Sequence, residues 1–75
     1  MKLLVVNWNE SVSESYCVDK DPHRGAQEWE NCYTIPVPGF TYIFDKISGL
    51  VHVSDGFEVM PVCGVSWYIV SDKEV

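Results

Sequence analysis

The chain has 75 residues, 11 of them acidic and 5 Lys or Arg, for a formal charge of −6. That length fits one domain spanning 1–75, and 47% hydrophobic with 13% aromatic residues excludes a disordered chain. The charge argues against docking on a nucleic-acid backbone or an anionic membrane, which requires Lys and Arg, and favours basic protein partners.

Lys2 to Trp8 reads as a strand with apolar residues on both faces, Leu3 and Val5 against Leu4 and Val6, which suits a central strand. The apolar run from Met1 to Val6 is too short for a secretory signal, and no stretch reaches the ~20 apolar residues of a membrane span. Asn9 to Ser15 is polar and reads as a turn, followed by a short strand at Tyr16 to Val18. Asp21 as a cap and Pro22 at the first position open the one helix the sequence offers, near 22–33. Ala26, Trp29, Cys32 and Tyr33 fall at helical spacing there; the alternative is a loop leading into a strand around Tyr33 to Val37.

Ile35-Pro36-Val37-Pro38-Gly39 is extended and then turns, as a connector or an edge. Phe40 to Phe44 alternates, with Phe40, Tyr42 and Phe44 on one face. A turn at 45–49 leads to a strand at Leu50 to Val53, and Asp55-Gly56 signals a hairpin into Phe57 to Val62. Pro61 pushes that strand towards an edge or a bulge. Val65 to Val70 is a last strand, with Val65, Trp67 and Ile69 opposite Tyr68 and Val70. The reading is a mainly β fold, α+β if the helix forms. It consists of about six strands in a small twisted antiparallel sheet or a partly rolled barrel.

Catalytic chemistry finds little footing. Cys17, His23, Cys32, His52 and Cys63 have no paired zinc spacing, so no metal or cofactor is expected. None of the three cysteines sits at a helix N-terminus that would make it a nucleophile. Their odd number leaves at least one thiol free or paired between chains, and with no secretory signal a reduced, cytoplasmic setting is expected. No glycine-rich phosphate loop is present. The protein is therefore not expected to be an enzyme.

What stands out is acidic residues beside tryptophans early in the chain: Trp8, Glu10, Glu14, Asp19, Asp21, Glu28, Trp29 and Glu30. Aromatic anchors ringed by polar groups are typical of interface hot spots. Such a surface would imitate a phosphate backbone and occupy a basic nucleic-acid-binding site on a partner protein. In size, charge and missing catalytic machinery the chain resembles the compact acidic proteins that phages and mobile elements make against host defence nucleases, such as anti-CRISPR and anti-restriction inhibitors. That resemblance implies a non-enzymatic, protein-binding inhibitor. The alternative is an accessory or structural module acting through a homodimer, larger homo-oligomers or strand-edge pairing.

Overall fold

The computed structural model describes residues 2–9, 11–18 and 25–71. Eight strands form in chain order: β1 Lys2–Trp8, β2 Val12–Cys17, β3 Gln27–Glu28, β4 Cys32–Val37, β5 Phe40–Asp45, β6 Val51–Ser54, β7 Val59–Pro61 and β8 Val65–Ser71. They make two sheets, of three strands ordered β2-β1-β8 and of five ordered β3-β4-β5-β6-β7. Every ladder is antiparallel. A single parallel bridge, Val18 to Ala26, links the end of β2 to the start of β3.

The mainly β, antiparallel expectation holds. A single sheet of about six strands does not, since the strands divide between two sheets. The helix near 22–33 is also corrected. Residues 22–24 lie outside the described set, and residues 25–33 form a bridge, β3, a tight turn and the start of β4. Ala26 is buried and donates its N–H to the Cys17 carbonyl at 2.9 Å, a bond no helix there could share. The N–H of Trp29 bonds the Cys32 carbonyl at 2.8 Å, closing a hairpin around Glu30 and Asn31. No helix among the described residues is long and apolar enough to cross a membrane.

The core lies between the sheets. Leu4 and Val6 of β1 meet Tyr33 and Ile35 of β4, Phe44 of β5 and Val51 of β6. Aromatic rings join the layers: Trp67 of β8 lies 5.9 Å from Tyr33 and 5.8 Å from Phe44, and Trp8 of β1 lies 5.0 Å from Tyr42. The Trp67 indole N–H also donates to the Gly49 carbonyl at 3.1 Å. Of the faces read in the sequence, Tyr42 and Phe44 of β5 and Val65, Trp67 and Ile69 of β8 turn to the core, while Phe40 is exposed.

The turns follow their residue chemistry. Pro38 and Gly39 (φ 95°) join β4 to β5, the order a type II turn requires. The Asp55 carboxylate accepts the N–H groups of Phe57 and Glu58, at 2.8 and 2.9 Å, and closes the β6–β7 hairpin.

Phe44 is fully buried at the centre of this core. Phe44→Ala should cost about 3–5 kcal/mol, against a total of ~5–15 kcal/mol for small domains. Urea unfolding followed by tryptophan fluorescence measures it, and a loss under ~1 kcal/mol would mean that Phe44 is not the packing centre.

Candidate binding site

Of the acidic residues singled out in the sequence, Glu14, Glu28 and Glu30 are described, on β2, on β3 and in the β3–β4 turn. Glu10, Asp19 and Asp21 lie outside the described residues. Trp8 is half-buried on the core face of β1 against Tyr42, so it belongs to the packing between the sheets. Glu14 is exposed on β2 and accepts the hydroxyl of Tyr16. Burial first, then that carboxylate, pushes the Tyr16 hydroxyl up to about 12.

Glu28 lies on β3 and is already matched. It accepts Lys2 Nζ at 3.0 Å and Lys46 Nζ at 2.9 Å, and these bonds, Lys46's first, hold its carboxyl below the usual range. Lys46 also donates to the Trp29 carbonyl at 2.8 Å and sits 4.8 Å above the Tyr33 ring. Trp29 and Glu30 remain exposed in the β3–β4 turn. The Trp29 indole donates to Thr34 Oγ1 at 2.8 Å. Thr34 alternates with the core residues Tyr33 and Ile35, so Trp29 lies on the far side of the five-stranded sheet from Trp8.

The candidate metal and nucleophile residues are likewise dispersed. Cys17 is on β2, Cys32 on β4 and His52 on β6, while Cys63 is exposed between β7 and β8; all three thiols are free. Among the described residues no three Cys, His, Asp or Glu side chains gather at metal-binding distance. A shallow groove of about 280 Å³ runs between the β4–β5 and β6–β7 turns, lined by Val37, Phe40, Thr41, Ser54 and Asp55 among others. Its one carboxylate, Asp55, is engaged in closing its own turn.

A different feature is the outer edge of β8. Asn9 donates its N–H to the Gly64 carbonyl at 2.8 Å. Antiparallel ladders alternate, so the hydrogen-bonded pairs of β1 and β8 are Asn7–Ser66, Val5–Tyr68 and Leu3–Val70. The backbones of Val65, Trp67, Ile69 and Ser71 then point away from β1, where among the described residues no strand follows β8 in the sheet. This edge is seven residues long, V-S-W-Y-I-V-S, with no charge and no proline. Tyr68 and Val70 stand exposed on its outer face, beside Leu3 and Val5 of β1.

The other edges are blunted. β3 has two residues. β7 has three, and its Pro61 occupies an outward-facing position without an N–H to offer. β2 carries Glu14 and is joined to β3's entry by the Val18–Ala26 bridge. The β8 edge was missed in the sequence because a strand shows its length and neutrality there but not which side of it stays unpaired.

The ion pairs of Glu28 make a pH-dependent contribution to stability. Glu28 binds its proton less readily folded than unfolded, so its contribution holds at neutral pH. It is lost as pH falls through its lowered folded pKa. Asp45 and Asp55, lowered by turn N–H groups, act in the same direction. Tyr16 acts oppositely: raised from 10.0 to about 12, it costs stability as pH climbs through that interval. Glu28→Gln should flatten the acid dependence of the urea midpoint and Tyr16→Phe the alkaline dependence. Unchanged profiles in both variants would refute these assignments.

Comparison with protein-family models, with curated proteins and with solved structures finds no match to this chain, so the functional reading rests on its own geometry.

Proposed function

We propose that this chain is a non-enzymatic, protein-binding module that works by accepting a strand at the free edge of β8, as an accessory or structural part of an assembly. The observation that carries the reading is the uncharged, proline-free edge of β8, the longest unpaired edge among the described strands. Strand addition supplies main-chain hydrogen bonds from the incoming segment, and alternate side-chain positions select it. Val65, Trp67 and Ile69 offer the hydrogen bonds, while Tyr68 and Val70 offer an apolar outer face. The setting we propose is the cytoplasm, where Cys17, Cys32 and Cys63 stay reduced.

Amide hydrogen exchange tests this. In the assembled state the amides of Val65, Trp67, Ile69 and Ser71 should gain strong protection, while those of β7 should not. If these amides exchange freely in every state that binds a partner or self-associates, strand addition is wrong.

A second reading keeps the acidic surface: an inhibitor that blocks a basic nucleic-acid-binding site on a partner, in the manner of phage anti-defence proteins. The charge of −6 and the exposed pair Trp29 and Glu30 favour it. With Glu28 matched by lysines and Trp8 in the core, the described part of its contact surface is the β3–β4 turn and Glu14. This binding should weaken as salt rises, and Glu30→Lys with Trp29→Ala should weaken it about tenfold or more by titration calorimetry. Unchanged affinity in that double variant would remove this reading.

A further inference from the structure

We propose that the strand completing β8 is the β8 of a second copy, running antiparallel across a two-fold axis at Tyr68. The proposal rests on the strand-addition reading above and names its partner.

Three properties of β8 make it complementary to itself. The first is parity. Its outward-facing backbone groups belong to Val65, Trp67, Ile69 and Ser71. Full overlap of two seven-residue strands sets Val65 opposite Ser71 and Trp67 opposite Ile69 of the second copy. Every outward residue then meets an outward residue, as an antiparallel ladder requires. A slip of one residue would set outward groups against inward ones, and a slip of two would lose hydrogen-bonded pairs.

The second property is the side-chain match. On the axis Tyr68 faces Tyr68 of the second copy, and Val70 faces Ser66. On the core side Trp67 faces Ile69. No charged residue of β8 is buried or set against its like. The third is symmetry: an antiparallel edge pair is the simplest isologous contact, closing as a dimer and leaving no second β8 edge for growth.

Each copy carries −6, so long-range repulsion opposes association while the strand itself is neutral. Salt screens that repulsion. The dimer should therefore tighten as salt rises, opposite to docking on a basic partner.

The test uses light scattering on the full chain from micromolar to millimolar concentration, at low and high salt, with cysteine cross-linking. The expected result is a monomer–dimer equilibrium shifted to dimer by salt. Tyr68 and its symmetry mate form a non-hydrogen-bonded pair, with Cα atoms about 4.5 Å apart. Tyr68→Cys should thus oxidise to a dimer linked through position 68, identified by peptide mass spectrometry. Ser66→Cys alone should not link to itself, but should link to Val70→Cys when the two variants are mixed. Tyr68→Lys, which sets two lysines face to face, should weaken the dimer about tenfold.

A dimer in which Tyr68→Cys does not link through position 68 overturns the two-fold pairing. A protein monomeric throughout overturns it as well. In that case protection of the Val65, Trp67 and Ile69 amides by another partner would leave the strand-addition reading standing, and its absence would remove both.

Discussion

Trp67 holds the two sheets in one relation, and much else follows from it. Its ring packs edge-on against Tyr33 of β4 and Phe44 of β5, and its N–H reaches the Gly49 carbonyl beyond β5. Three anchors from one side chain fix which residues of β8 face inward. A one-residue slip of β8 along β1 would turn Trp67 to solvent and bring Ser66 or Tyr68 into the core, so the register is strongly set. The same alternation decides which backbone groups β8 spends on β1 and which it leaves at the edge. Core packing and the open edge are two results of one constraint.

The residues that alternate cleanly were legible in the sequence because each sits on a strand with one wet and one dry face. β1 read as central from apolar residues on both faces, and it lies between β2 and β8. Pro36 and Pro61 read as edge signals, and both occupy positions whose backbone faces away from the neighbouring ladder. Pro36 points towards β3, which ends after two residues and leaves no ladder there to break. The first four residues of β2 were hidden because an edge strand with Val12, Ser13, Glu14 and Ser15 in solvent has no apolar period, and only its end at Tyr16 and Cys17 read as strand. The helix was misread because β3 is too short for period-two alternation to show. Ala26 and Tyr33 are core residues either way, and only the outward Trp29 separates strand from helix.

The acidic cluster shows the limit of proximity along the chain. Glu28 is near Glu30 in sequence, but its partners Lys2 and Lys46 arrive from β1 and from the turn after β5. A count of local bases includes Lys2 without knowing that it reaches Glu28, and it omits Lys46 altogether. Trp8 and Trp29 looked like neighbours of the same acids, yet the five-stranded sheet separates them. The net charge acts as a long-range field, while among the described residues Glu28 is taken up by two lysines and Trp8 by the core.

A domain of this size buries only ~60% of the surface of its unfolded chain, so its margin is thin and an association that buries more apolar area adds to it. Edge protection is the usual countermeasure against unwanted pairing, and this chain applies it with proline at β7, with brevity at β3 and with a carboxylate and a bridge at β2. Against that background a seven-residue edge without charge, proline or bulge is not a general tolerance of open edges. Among the described strands the other edges are each blunted, and the one left open is the edge we propose to pair with a second copy. The charge of −6 then limits indiscriminate contact between copies, while the long β8 edge adds no charge of its own to that repulsion.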